Sequence, residues 1–318
     1  MSHTVPARPT SGQTFDAVLG PRSSRYFGAG YRRTRYHLPP LRPEEDDGGL
    51  LAGVAGVSYP ADWSHKPGVS RVPHLSTADA IVLGAHAAEM ALTRALGLNR
   101  DELRDAWFAE FAVRTGAHPV SALDEVPVSC RWAVDPDDRR RSDYLIKVGT
   151  FTVTAVVCHP EVGIPARRRV GTIGPTLYTH GFRETDHVGR ILDADATAAS
   201  LKCYTEVGPQ VVHDGIESGT GTAASLVDCL VFAGQMLQML VSLIDGVTRD
   251  RSGNLWLRTI TFSTSDPARP AWAQPRMRIT DRQDVVRGDD VLHALSVRCE
   301  GMFGTTMAGK AAYADTPG

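Results

Sequence analysis

Apolar residues recur at helical spacing over two long stretches of the chain. The spacing predicts helices over Thr77 to Leu96 and Leu226 to Asp245, with Ser76 and Ser225 as their N-caps and a glycine closing each. Both stretches are apolar around most of the helix circumference, which is typical of a helix buried on nearly every side. The chain is therefore expected to contain two long core helices.

The two helical stretches are copies of one pattern. Residues 76 to 108 align with residues 225 to 257 without a gap, at a constant separation of 149 positions. The identical pairs are Ser76/Ser225, Asp79/Asp228, Val82/Val231, Met90/Met239, Gly97/Gly246, Arg100/Arg249, Asp101/Asp250 and Trp107/Trp256. Two copies at so long a period do not form a solenoid, so the repeat predicts two similar domains packed as a pseudo-dimer.

Alternating apolar and polar residues predict strands around each helix. The predicted strands are 50–59, 107–113, 126–134 and 144–157 in the first copy, and 199–207, 255–262, 277–280 and 294–303 in the second. A long apolar helix wrapped by an antiparallel sheet is the hotdog arrangement. The sequence therefore predicts an α+β double hotdog, with two similar modules in one chain.

The composition along the chain predicts where the modules begin and end. Residues 1–24 are rich in Pro, Ser, Thr, Gly and Arg, and we expect them to form a flexible N-terminal arm. The Pro- and Arg-rich residues 161–175 are the predicted linker. The first hotdog domain then covers residues 25–160 and the second covers residues 176–318.

Overall composition narrows the class of function. The chain has 318 residues, of which 42% are hydrophobic, and its net charge of −2 gives no reason to expect a nucleic-acid partner. It has no unbroken apolar run of the ~18–20 residues that a membrane span needs, and its first residues do not resemble a secretory signal. The five cysteines form no Cys-x-x-Cys pair, which favours reduced thiols. We expect a cytoplasmic protein without a membrane partner, a metal or another cofactor, and a homodimer stays open.

Each predicted helix carries a polar strip on one face. The strip consists of Asp79, His86, Glu89 and Thr93 in the first helix, and of Asp228, Gln235, Gln238 and Ser242 in the second. If these groups line a crevice between the two modules, a partly desolvated Asp or His there is suited to general acid–base catalysis.

A structural role explains part of the strip equally well. Asp79 and Asp228 each follow a serine by three residues, so each is also suited to be the acidic member of a capping box. His86 and Glu89 have no such explanation, although a solvated helix face would account for them. Because their counterparts are uncharged glutamines, only the first helix has a full titratable set, and we predict that any helix-based chemistry lies in the first half.

Other histidines add one weak candidate. His74 lies five residues before Asp79, a spacing similar to the His-Pro-x-x-x-Asp entry to the catalytic helix of polyketide dehydratase double hotdogs, although here the proline precedes the histidine. An exposed loop histidine is the alternative. His159, His180 and His187 lack the spacing of metal ligands, so no metal site is predicted from them.

Three ordered motifs resemble one protein family. Residues 25–31 (RYFGAGY), 59–64 (YPADWS) and 74–79 (HLSTAD) are similar to the avirulence D protein (AvrD) family, and the resemblance spans nearly the whole chain after residue 24. The resemblance implies an enzyme that makes a small lipid-like signal, because the family is associated with syringolides, in which a 3-oxoacyl chain from a carrier thioester is joined to a pentulose. A more distant likeness is to A-factor-type butyrolactone synthases, which join such a chain to a glycerol derivative. The resemblance assigns no catalytic residue.

Together these features predict an acyltransferase-like enzyme that joins a 3-oxoacyl thioester of acyl carrier protein or coenzyme A to a small polyol. Asp79 and His86 are the predicted acid–base pair and Glu89 the orienting group, while Asp228 and Gln235 polarise the thioester or position the polyol. The remaining predicted contacts are His74, Ser76, Ser225 and Gln238. A dehydratase or thioesterase on the same fold, or a non-catalytic acyl-binding protein, are the alternatives.

Overall fold

The structure is a computed structural model that describes residues 9–38, 40–44, 47–63, 72–161, 175–208, 213–246, 255–287 and 290–314. The elements of the first half are α1 (Phe15–Leu19), β1 (Arg35–His37), β2 (Arg42–Glu44), β3 (Asp47–Ser58), α2 (Thr77–Arg94), α3 (Arg100–Arg104), β4 (Trp107–Arg114), β5 (Val126–Val134), β6 (Arg141–Val148) and β7 (Phe151–Cys158). Those of the second half are β8 (His187–Asp195), β9 (Ser200–Val207), α4 (Leu226–Asp245), β10 (Trp256–Thr264), β11 (Trp272–Ala273), β12 (Arg276–Arg287), β13 (Asp290–Met302) and β14 (Thr305–Ala314). Short 3-10 turns occupy Arg22–Ser24, Gly30–Arg33 and Gly181–Arg183.

The two halves share one strand order. In the first half the antiparallel order is β3-β5-β6-β7-β4, and in the second it is β9-β12-β13-β14-β10, which places corresponding strands at corresponding positions. Strand β4 shifts register between Phe108 and Glu110, and β10 shifts between Leu257 and Thr259. The two shifts lie 149 positions apart, so the copies share even this local irregularity.

One continuous sheet joins the halves. Strands β4 and β10 pair in antiparallel orientation, and Ala112 lies opposite Thr261. These two residues are themselves 149 positions apart, so each faces its own counterpart and an approximate twofold axis passes between them. The double hotdog predicted from the repeat is confirmed, although its modules share a sheet rather than packing as separate bodies.

The two long helices form the core inside this curved sheet. In α2 every residue from Ala78 to Ala85 is buried, and its alanines and Gly84 let the helix lie close to the strands, because a Cβ on Gly84 would lie 3.2 Å from Phe111 and 3.3 Å from Val153. Helix α4 is long and apolar enough by composition to cross a membrane, but 78% of its most apolar window is buried inside the protein. Helix α4 is therefore the second core helix, and it contacts α2.

Local differences from the predicted elements have clear causes. The single strand predicted over residues 144–157 is wrong, because Gly149 has a φ of 56° and turns the chain between β6 and β7. Strands β8 and β14 were not predicted. Strand β3 and helix α2 begin and end within a few residues of their predicted bounds, and α4 matches its predicted bounds at both ends.

The N-terminal segment also differs from the predicted flexible arm. Within residues 9–24, helix α1 buries Phe15 and Leu19, and the ring centroid of Phe15 lies 6.1 Å from that of Phe232 on α4. The backbone N–H of Gly12 donates to the carbonyl of Ile191 at 2.8 Å. Phe15 and Leu19 are large apolar side chains in a largely polar segment, and their burial explains why this segment packs against the protein. Residues 1–8 and most of the predicted linker, residues 162–174, lie outside the described residues.

Candidate functional site at the start of the second core helix

Both core helices begin with the same polar arrangement. The hydroxyl of Ser76 accepts from the N–H of Asp79 at 3.2 Å, while the Asp79 carboxylate accepts from the Ser76 N–H at 2.7 Å. Ser225 and Asp228 repeat this arrangement at 3.2 Å and 2.8 Å. The capping role that the sequence allowed for both aspartates is therefore confirmed.

In the first half the remaining partners of Asp79 are phenols. Asp79 is fully buried and accepts hydrogen bonds from Tyr36 at 2.6 Å and from Tyr59, while Tyr26 lies 2.7 Å from the Ser76 hydroxyl. Burial raises the pKa of Asp79, although the hydrogen bonds from Tyr36, Tyr59 and Ser76 oppose the rise. Every described partner of this carboxyl is a neutral donor, so the arrangement is that of a buried, satisfied structural carboxyl.

In the second half the corresponding carboxylate holds an imidazole. Asp228 is also fully buried, and its Oδ1 accepts from His187 Nε2 at 2.7 Å and from the Thr185 hydroxyl at 3.1 Å. Burial by itself would raise the pKa of Asp228, but the hydrogen bond with His187 lowers it below its usual range, with help from Ser225. An aspartate that stays ionised and orients a histidine is the arrangement that general-base catalysis uses.

His187 is the twofold counterpart of Tyr36. The motif Gly30 to Thr34 matches Gly181 to Thr185 at a separation of 151 positions, and two further residues along each copy stand Tyr36 and His187. The sequence analysis considered His187 only as a metal ligand, although the match between residues 30–34 and 181–185 is visible in the sequence. Extending the motif by two residues would have placed His187 beside Asp228.

A small polar cleft opens beside His187. It has a volume of about 120 Å³ and is lined by Thr14, Phe15, Asp16, Arg22, Arg25, Gly28, His187, Val188, Gly189, Phe232 and Gln235. Buried Arg25 donates to Gln235 Oε1 at 2.7 Å and pairs with Asp16, which also accepts from Arg22 at 3.1 Å. The phenyl rings of Phe15 and Phe232 contribute apolar wall. The cleft thus offers paired charges, suited to hydrogen-bonding hydroxyl groups, next to a carboxylate-bound imidazole.

The other predicted residues do not converge on one cavity. Asp79 and His86 are seven residues apart on α2, about 10 Å along its axis, and Asp79 takes its hydrogen bonds elsewhere. Of the predicted binding residues, Gln235 lines the cleft, whereas Gln238 is half-buried one turn further along α4. His74 packs edge-on against Trp63, with 6.4 Å between ring centroids, and its carbonyl accepts from Tyr59 at 3.2 Å. His74 therefore belongs to the aromatic surroundings of Asp79.

Glu89 faces the other half of the molecule. It is fully buried and accepts from the Ile216 N–H and from the Thr176 hydroxyl, both at 3.1 Å. Burial raises the pKa of Glu89 to about 8, the charges of Glu217 and Asp214 add to the rise, and the two hydrogen bonds oppose it. Its contacts are those of a residue that holds the two halves together, and they do not orient His86.

A second buried cluster was absent from the sequence prediction. Both oxygens of Glu217 accept from the guanidinium of Arg269, and Tyr178 donates to Glu217 at 2.5 Å. Glu217 also accepts from the backbone N–H of Phe108 in the first half at 3.1 Å. All three side chains are fully buried, so the cluster joins the halves beneath the start of α4.

Comparison with solved structures gives matches of hotdog type. Similar structures include a hot dog fold protein of unknown function from Alicyclobacillus acidocaldarius (13% identity, 86% of this chain and 95% of that chain covered, TM-score 0.43). They also include the acyl-CoA thioesterase II TesB2 from Mycobacterium marinum (11% identity, 87% and 96% covered, TM-score 0.39) and the dehydratase domain of RzxB from Pseudomonas fluorescens (14% identity, 88% and 98% covered, TM-score 0.35). At this level of similarity none of them informs the activity of the chain.

Comparison at the sequence level identifies the family. No curated protein matches the chain. The profile of the Pseudomonas avirulence D protein (AvrD) family matches residues 10–308, which is nearly the full length. The chain therefore belongs to the AvrD family.

Proposed function

We propose that the chain is a biosynthetic enzyme that transfers a 3-oxoacyl group from a thioester to a hydroxyl of a small polyol. Membership of the AvrD family, with its association with syringolides, supports the class of product. The observation that carries the proposal is the hydrogen bond of 2.7 Å between His187 and buried Asp228 at the edge of the cleft. We expect the reaction to take place in the cytoplasm, where carrier and coenzyme A thioesters are made.

In the proposed reaction His187 is the general base. Its Nδ1 takes the proton of an acceptor hydroxyl while that oxygen attacks the thioester carbonyl carbon, and Asp228 stabilises the imidazolium that forms. The carbon–sulfur bond then breaks, and the departing thiolate takes the proton back from His187. The Nδ1 contact with Tyr31, at 3.3 Å, is longer than a strong hydrogen bond and is therefore able to give way to a substrate.

The cleft is the proposed site for the polyol. A buried water needs about 10–15 Å³ of cavity volume measured with a water-sized probe. The cleft volume of about 120 Å³ therefore holds roughly eight to twelve water-sized groups, which is the size of a small sugar. Arg25, Asp16 and Gln235 supply donors and acceptors, and the paired charges favour a neutral ligand over an anionic one. This assignment places the chemistry in the second half and replaces Asp79 and His86 as the proposed acid–base pair.

The direct test offers purified protein 3-oxoacyl thioesters of coenzyme A and acyl carrier protein with a panel of three- to six-carbon polyols. Mass spectrometry then measures acyl ester, and a thiol reagent measures the released thiol. His187→Gln should lower the rate by about 10²–10⁴-fold, whereas His159→Gln should not. His159 is a matched control, because it is also buried and hydrogen-bonded, at 2.7 Å to Ser142, away from the cleft.

The products decide between the candidate reactions. Acyl ester that depends on His187 supports the transfer reaction. Free acid and thiol without any ester would replace it with a thioesterase, in which water takes the place of the polyol, and loss of water from a 3-hydroxyacyl thioester would indicate a dehydratase. Binding of the thioester without turnover, in protein shown to be folded by circular dichroism, would leave only a binding protein and reject the proposal.

A further inference from the structure

Two residues of the first half reach into the site of the second half. The ring of Tyr31 stacks on His187, with 6.1 Å between centroids and an interplanar angle of 18°. It also stacks on Phe182, with 6.1 Å between centroids and an angle of 22°. Its hydroxyl lies 3.3 Å from His187 Nδ1 and accepts from Arg32 Nε at 2.9 Å. Tyr31 is 1% exposed, so these contacts are shielded from water.

For a neutral His187 imidazole, the donors and acceptors permit one direction of hydrogen bonding. A guanidinium N–H only donates, so the Tyr31 oxygen accepts from Arg32 and its own hydrogen is left to point to another acceptor. His187 Nδ1 is the acceptor within reach. At the opposite edge of the ring, ionised Asp228 only accepts, so Nε2 carries a proton and donates to it. The hydrogen bonds therefore run from Arg32 to Tyr31 to His187 to Asp228.

We propose that Tyr31 and Arg32 are positioning residues that hold His187 with its proton on Nε2 and with Nδ1 bare. The role of this arrangement in catalysis rests on the proposed function, since a general base needs an unprotonated nitrogen. The position of the proton on the ring does not depend on the proposed function. Tyr31 donates to Nδ1, and Arg32 orients the Tyr31 hydroxyl toward that nitrogen until a substrate hydroxyl takes its place. The second half's site is thus incomplete without the first half.

The groups around His187 from other elements fit this assignment. The Phe232 ring of α4 lies 4.6 Å from the imidazole, and Arg22 donates to the backbone carbonyl of His187 at 3.2 Å. Neither Phe232 nor Arg22 offers Nδ1 a hydrogen-bond acceptor, which would favour a proton on that nitrogen. At the twofold-related position Phe182 stands in place of Tyr31, without a hydroxyl, and Tyr36 stands in place of His187. The series of hydrogen bonds from Arg32 to Asp228 is therefore present at only one of these two twofold-related positions.

The test is nitrogen NMR of the full chain labelled with ¹⁵N-histidine. The chain has 11 histidines, and the signals of His187 are those that disappear in His187→Gln. The wild type should show a protonated Nε2 and a bare Nδ1 near pH 7. In Tyr31→Phe the Nδ1 signal should move toward the protonated position at pH 6.5, and in Arg32→Gln it should move the same way by less. Tyr204→Phe is the matched control, since it removes the hydroxyl of a half-buried tyrosine, which donates to Glu206 at 2.7 Å away from His187.

Two results would overturn the inference. One is a proton on Nδ1 in the wild type, and the other is a Nδ1 signal that neither Tyr31→Phe nor Arg32→Gln changes in protein with wild-type circular dichroism. Where turnover is measured, Tyr31→Phe should lower kcat/KM more at pH 6.5 than at pH 8, a change that lost packing alone would not produce. Failure of every turnover assay would reject the proposed function and leave the NMR result to decide this inference.

Discussion

Replacing Glu89 with glutamine should make the protein more stable, and more so as the pH rises. The duplicate itself carries this change, since Gln238 stands at the position 149 residues further along. In the folded state burial raises the pKa of Glu89 to about 8, from an ordinary value of 4.5. Between these two values the folded chain holds a proton that the unfolded chain has released, so the stability associated with Glu89 is complete below pH 4.5 and is lost as the pH rises toward 8.

The size of the effect follows from the two pKa values. At about 1.4 kcal/mol for each pKa unit, the lost stability is about 1 kcal/mol at pH 5.5, about 3 kcal/mol at pH 7 and between 4 and 5 kcal/mol at pH 8.5, as an order of magnitude. A glutamine keeps a neutral side chain of the same shape toward Ile216 and Thr176. Glu89→Gln should therefore recover most of this stability at high pH and little at low pH.

Urea unfolding followed by circular dichroism at pH 5.5, 7 and 8.5 measures the difference between the two proteins. Buried Asp79, whose pKa is also raised, acts in the same direction but is common to both and cancels. Glu125→Gln, at an exposed position immediately before β5, is the control and should show no such trend. A stability difference between wild type and Glu89→Gln that stays constant across this pH range would refute the reasoning.

Two further substitutions probe the other buried carboxyls. Asp79→Asn should lower the free energy of unfolding by about 1–3 kcal/mol, because it replaces an acceptor of several hydrogen bonds, while the cleft beside His187 keeps its ligand affinity. A calorimetric melt measures the stability and a binding titration measures the affinity. Loss of binding in folded protein would argue for a catalytic Asp79. Arg269→Met should cost about 3–5 kcal/mol, since it leaves Glu217 buried without its cation, and Arg269→Met with Glu217→Gln should recover part of that loss in urea unfolding. No recovery in the double variant would show that packing of the Arg269 stem, and not the unpaired charge, sets the cost.

Features set by neighbouring residues could be predicted from the sequence. The helices, their serine caps and the capping boxes depend on residues within one or two turns, and the duplication is visible because both copies keep the same local pattern. The repeat then predicted the double hotdog, because each copy had to bury an apolar helix against its own strands. Turns that depend on one residue, such as Gly149, were missed because nothing nearby requires them.

The site was decided by contacts that the local pattern does not contain. His187 meets Asp228 across 41 positions, Tyr31 meets His187 across 156, and Arg25 meets Gln235 across 210. The helix strip grouped Asp228 and Gln235, which meet His187 and Arg25, but it also grouped Glu89, whose partners Thr176 and Ile216 lie elsewhere in the fold. Side-chain periodicity fixes which face of a helix is polar, whereas the folding of distant segments against that face decides which polar groups meet and what chemistry they can support.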